Sequence, residues 1–153
     1  MPNDLLATAR RLTKTSTGRP RQSDLRRAIS TAYYALFHAL ARDAAAFLVG
    51  GRAAAPQAWS QVYRALDHGF AKNACKQVRA LGFSDDIIQC ADAFTRLQEM
   101  RHKADYDPDE RYSLVDALFA DWLAEDAMTA LRRASRRERR AFSVQLLLKK
   151  RVL

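Results

Sequence analysis

Apolar residues recur at helical spacing along almost the whole chain, and no segment alternates as a half-buried strand would. Leu5, Leu6, Ala9 and Leu12 predict a first helix over 4–14, capped by Asn3. The stretch from Thr15 to Gln22 holds Gly18 and Pro20 and reads as a loop. Ser23 is placed to cap a second helix running to Gly50-Gly51. Its inward stripe is Ile29, Tyr33, Leu36, Leu40, Ala44 and Phe47, widened by Phe37 and Leu48. A third helical region spans 57–80 with Trp59, Val62, Tyr63, Leu66 and Phe70 in phase, and Gly69 is the natural point for a kink or split. Ser84, with Asp85 and Asp86 in the first turn, opens a fourth helix whose stripe is Ile87, Ala91, Phe94, Leu97 and Ala104. Pro108 stops it near Tyr106. Ser113 and Asp116 form a shortened capping box ahead of Leu114, Leu118, Trp122, Leu123 and Met128. A last helix covers 136–150. The pattern predicts an all-α fold, an antiparallel up-and-down bundle of four to five long helices over 1–131. Residues 132–153 then form a basic helical extension that packs on the bundle or on a partner.

Composition agrees with this reading. A chain of 153 residues suits one domain with its own core, and 48% hydrophobic residues exclude a disordered chain. Five glycines and four prolines are too few for a many-turned β fold. Cys75 and Cys90 stand apart with no Cys-x-x-Cys spacing, as expected of thiols in a reducing cytoplasm. The first residues lack the apolar run of a secretory signal, and no apolar stretch is long enough for a membrane span. The expected localisation is cytoplasmic.

The formal charge of +9 is unevenly placed. Residues 132–153 net +8, and the rest of the chain nets only +1. Within that remainder, 1–27 net +5 and 105–126 net −7. The basic end reads as a footprint for nucleic acid, as the solvated end of a helix, or as a surface that docks on the acidic stretch of a second copy.

Two segments carry more specific chemistry. One is Arg27-Ala28-Ile29-Ser30-Thr31-Ala32-Tyr33-Tyr34-Ala35-Leu36-Phe37-His38 on the second helix. The other is Arg101-His102-Lys103-Ala104-Asp105-Tyr106-Asp107-Pro108 at the end of the fourth. Together, in this order, they resemble the HEPN family of all-helical domains, in particular a subgroup with an A-Y-Y-A-x-F-H helix and an R-x-x-A-D-Y-D-P helix end. The resemblance extends from about Ser23 to Arg133. It implies a helical bundle that dimerises. It also implies kinship with metal-independent ribonucleases of toxin–antitoxin, CRISPR and phage-defence systems. Their site is an Arg-x(4–6)-His motif from each protomer, meeting in the dimer cleft. Some members pair with a nucleotidyltransferase that acts as antitoxin.

Arg101 lies at the edge of the buried stripe, where an unpaired guanidinium is costly unless it has a task. That task is either to clamp a phosphate or to pair with an acid on a neighbouring helix. The family's His is absent: the allowed positions hold Tyr106, Asp107 and Pro108. A phenol is a poorer general base than imidazole near neutral pH. His102 follows Arg101 directly, about 100° around the helix. Arg27, Thr31, Tyr34 and His38 form a polar stripe on the second helix that lines either a ligand cleft or a dimer seam. A lone helical His such as His38 or His68 is more often structural than catalytic.

The expected catalytic group is therefore Arg101, His102 and Tyr106, with Tyr34, His38 and Asp105 as ligand-binding residues. Two functions stay open. One is RNA or nucleotide-phosphate binding with metal-independent ribonuclease activity. The other is a non-catalytic interaction module for a nucleotidyltransferase. A homodimer is expected under either reading. No metal or other cofactor is expected: there is no His-Glu-x-x-His spacing and no Gly-rich phosphate loop.

Overall fold

The structure, a computed structural model, describes residues 1–14 and 18–151. It is all-helical, with seven helices among the described residues: α1 (Pro2–Leu12), α2 (Gln22–Val49), α3 (Pro56–Ala65), α4 (His68–Cys75), α5 (Asp85–Tyr106), α6 (Leu114–Arg133) and α7 (Arg136–Leu147). The 28-residue α2 is the hub and packs against α1, α3, α5, α6 and α7. The α5 helix is clasped by α2, α4 and α6 and touches α7.

Helix boundaries follow local chemistry. Pro2 sits in the first turn of α1, so that helix begins at Pro2 with Met1 as its N-cap, and Asn3 lies inside it. The Ser23 cap is likewise displaced, because α2 begins at Gln22 behind an Arg21 N-cap. Gln22 instead bonds a distant loop: its Nε2 donates to the Tyr112 carbonyl at 2.7 Å, and its Oε1 accepts from the Tyr112 N–H at 2.9 Å. The end of α2 needs a glycine, since Gly50 has φ +84°. The 57–80 region is two helices. The break lies at Leu66–Asp67, where the Asp67 carboxylate accepts from the Phe70 N–H at 2.8 Å and caps α4. The Ser113–Asp116 capping box is present in both directions.

The core face of α6 differs from expectation. The face turned inward carries Ala117, Ala120, Ala124, Ala127 and Ala130, all essentially buried, with Met128 and Leu131. Leu114, Leu118 and Trp122 point out and are 40%, 47% and 56% exposed. On α2, Ala28, Ala32, Ala35, Ala41, Ala44 and Ala45 are buried as well. Alanines on both helices permit close approach of the backbones, so the large side chains of α6 are left on the outside.

Helix α7 docks on α2 and α4 through Phe142 and Leu146, both 1% exposed. Part of the basic charge is consumed in that docking. Arg139 pairs with Asp43 of α2 at 2.5 Å, and Arg136, Arg139 and Arg140 surround the Phe47 ring, while Arg133 at the end of α6 pairs with Asp86 of α5 at 3.1 Å. Cys75 and Cys90 are free, buried thiols. No helix among the described residues is long and apolar enough to cross a membrane.

Candidate functional site

The end of α5 is held in place by α2. The Arg26 guanidinium donates from Nη1 to the carbonyls of Ala104 at 2.9 Å and Asp107 at 2.7 Å, and from Nη2 to that of Glu110. These carbonyls lie at a helix end and beyond it, where no intrahelical partner exists. Arg26 therefore fixes the segment that carries Asp105 and Tyr106. The sequence gives little warning of this role, because the arginine that the motif draws attention to is its neighbour Arg27, which is exposed.

Arg101 is buried, with only 8% of its surface exposed. Its Cζ lies 5.1 Å from the Tyr33 ring centroid and 5.7 Å from that of Tyr34, a stacked cation–π arrangement. Its ion pair among the described residues is long: Nη1 to the Asp105 carboxylate at 3.5 Å. Its Nε is buried without a hydrogen-bond partner among the described residues. Burial works to lower its pKa, but Tyr34, Tyr33, Asp105 and Tyr106 outweigh that, so the guanidinium is held firmly charged. Its donor fork is thus preorganised, with Nε left unpartnered. Ser30 Oγ donates to the same Asp105 oxygen, Oδ2, at 3.4 Å and helps hold that carboxylate.

The imidazole beside this arginine is His68. Its Nδ1 lies 2.5 Å from the Tyr33 hydroxyl, and its ring stacks on Phe37 at 4.3 Å. It packs against the same two tyrosines as Arg101, with centroid distances of 5.6 Å to Tyr33 and 5.9 Å to Tyr34. The Asp67 cap and the Gln98 Nε2 bond to the His68 carbonyl, 2.9 Å, set its position. Burial first, then the Arg101 charge, lowers its pKa, so it is neutral at pH 7. The signal that could have found it is the Asp67-His68-Gly69 break, which starts a short helix directly beside α5.

Tyr34, Asp105 and Arg101 come together. His38 does not complete their wall. It lies one helical step beyond Tyr34, at 6.2 Å between rings, and its Nδ1 pairs with the Tyr63 hydroxyl of α3 at 2.5 Å. His102 and Tyr106 lie on the exposed side of α5, with ring centroids 5.0 Å apart, and Tyr106 is 66% exposed. Among the described residues, no three His, Cys, Asp or Glu side chains gather as a metal ion would need.

The lowered pKa values of His68 and His38 have a consequence for stability. The unfolded imidazoles take up protons near pH 6.5, above the folded ones, so in that window the unfolded state binds more protons and stability rises with pH. This contribution is fully present above pH 6.5 and is lost as pH falls through the folded values. The thermal midpoint, followed by circular dichroism, is expected to decline on acidification below pH 6.5, and more gently in His68→Gln. An equal slope in the variant would contradict the neutral, half-buried state of His68.

Comparison with family models, with curated proteins and with solved structures finds no match to the chain.

Proposed function

We propose that the chain is a HEPN-type domain, an antiparallel bundle built on its four to five longer helices, that binds RNA by a phosphate at Arg101. The observation that carries this reading is the state of Arg101 itself. A buried, firmly charged guanidinium, stacked on two tyrosines, has among the described residues one long ion pair, to Asp105, and an Nε without a partner. Free guanidinium donors in a fixed fork are suited to bidentate capture of a phosphate. Tyr34, half-exposed beside it, supplies a stacking face for a base.

The same cluster supports metal-independent cleavage. A general base must be unprotonated at working pH and able to reach the reacting group. His68 is the candidate for that base, an imidazole with a lowered pKa packed on the same two tyrosines as Arg101, whereas the family pattern would place its His five to seven residues after Arg101. His102 and Tyr106, on the outer side of that helix, then meet RNA as it enters. The reading implies a cytoplasmic protein in a toxin–antitoxin or defence setting.

A second copy fits the outer face of α6, where Val115, Leu118 and Trp122 are 73%, 47% and 56% exposed at i, i+3, i+7 spacing. Sedimentation at twice the monomer mass supports the dimer, and a monomer at high concentration contradicts it. The same exposed stripe favours the second reading, a non-catalytic module whose partner is a nucleotidyltransferase.

The deciding experiment is fluorescence anisotropy of a labelled single-stranded RNA titrated with the wild-type chain and with Arg101→Ala. Saturable binding that the substitution removes supports the RNA reading. Absence of binding, or equal binding by the variant, overturns it and leaves the interaction module.

A further inference from the structure

A separate cleft of about 630 Å³ lies between α2 and α3, away from the Arg101 fork. Its size is within the range that small-ligand sites occupy, roughly 300–1,000 Å³. Three arginines line it, Arg42 from α2, Arg52 from the connector and Arg64 from α3, and no acidic residue does. All three are exposed, and among the described residues none of them has an ion pair. One wall is aromatic. Trp59 and Tyr63 stack at 5.0 Å with 21° between planes, and Tyr63 stacks on His38 at 5.8 Å with 19°. Arg52 lies over the Trp59 ring at 5.1 Å.

The local sequence explains this arrangement. Trp59 and Tyr63 are four residues apart on α3, and so are Ser60 and Arg64. The aromatic edge therefore runs beside an edge bearing a hydroxyl and a cation. Gly50, at φ +84°, turns the chain back so that Arg52 reaches Trp59. A side chain at Gly51 would meet nothing within 4 Å, so the mouth is open on that side. The His38–Tyr63 pair is neutral, since burial lowers the imidazole and raises the phenol. The positive charge at the ligand is supplied by the arginines.

We propose that this cleft binds a nucleoside monophosphate unit, its base against the Trp59–Tyr63 wall in place of the Arg52 guanidinium that covers Trp59, and its phosphate among Arg42, Arg52 and Arg64. A planar aromatic ring beside an anion is the chemistry that such a wall recognises, and arginines lining a cleft without acids select for the anion. The unit comes either from a free nucleotide or from a strand of RNA. The site is independent of the Arg101 reading, because it shares neither Arg101 nor His68.

The test uses full-length protein carrying Trp122→Phe, which leaves Trp59 as its sole tryptophan. Trp59 fluorescence is followed during titration with AMP, UMP, adenosine, inorganic phosphate and a short 5′-phosphorylated oligoribonucleotide. Saturable quenching by a mononucleotide identifies the free ligand. Quenching by the oligoribonucleotide alone identifies the strand. Calorimetry on Trp59→Ala and, separately, on exposed Arg64→Gln is expected to show affinity for the quenching ligand reduced about tenfold or more. Neither side chain is buried, so both variants should fold, and circular dichroism checks that they do. The proposal is overturned if neither ligand class quenches Trp59, if phosphate or adenosine binds as tightly as AMP, or if both variants bind like the parent.

Discussion

Replacing Phe94 by alanine is expected to lower the stability of the fold by about 3–5 kcal/mol, the usual cost of emptying a fully buried aromatic site. Phe94 is 0% exposed at the centre of α5, and its ring lies 5.5 Å from that of Tyr33 on α2. Its neighbours on the inner face, Leu97, Ala91 and Cys90, are held in helical backbone and cannot close the gap. In a domain of this size each kcal/mol moves the thermal midpoint by roughly 2–4 °C, so a drop of roughly 6–20 °C is expected by circular dichroism. The effect reaches the site, because Tyr33 is the ring on which Arg101 and His68 both rest. A fall of less than about 3 °C would contradict the placement of Phe94 as the principal support between α5 and α2.

Arg101→Ala is expected to weaken RNA binding at least about tenfold at fixed salt, since a charge-assisted bidentate contact is lost whole. Arg101→Lys separates charge from geometry. Lysine keeps the positive charge but lacks the planar fork and its stacking on Tyr33 and Tyr34, so affinity is expected to fall between wild type and alanine. The anisotropy measurement is made alongside a thermal melt. A variant that melts like wild type and binds less tightly has lost a ligand contact, whereas one that binds less only because it is unfolded loses its helical signal as well. If Arg101→Lys binds as tightly as wild type, the fork has no part in recognition.

Much of this structure is legible in the pattern of apolar positions. The stripes on α2 and α5 are buried where periodicity puts them, because Ile29, Tyr33, Leu36, Ile87, Phe94 and Leu97 are large residues whose removal from water dominates the energy. The α6 stripe is misread for the opposite reason. Its inner face is alanine, which a search for large apolar residues passes over, while Leu118 and Trp122 stand on the outside. Capping is legible where both partners are close in sequence, as for Ser113 and Asp116, and not where a distant group takes over, as for Gln22 and Tyr112.

The candidate site divides along the same line. Arg101, Tyr34 and Asp105 come from motifs whose members lie within a few helical turns, and they meet. His68 comes from a third helix, and no spacing rule links it to Arg101. His38 was expected in the same cleft and instead turns toward Tyr63, because its ring lies one step further along α2 where α3 crosses.

The most direct measurement of the central claim is photocross-linking of 4-thiouridine-substituted RNA to the wild-type chain, with the attached peptides mapped by mass spectrometry. RNA held at Arg101 predicts cross-links to peptides containing Tyr34, His68, His102 or Tyr106, lost in Arg101→Ala. Cross-links confined to the basic 132–151 segment, unchanged by that substitution, would contradict it.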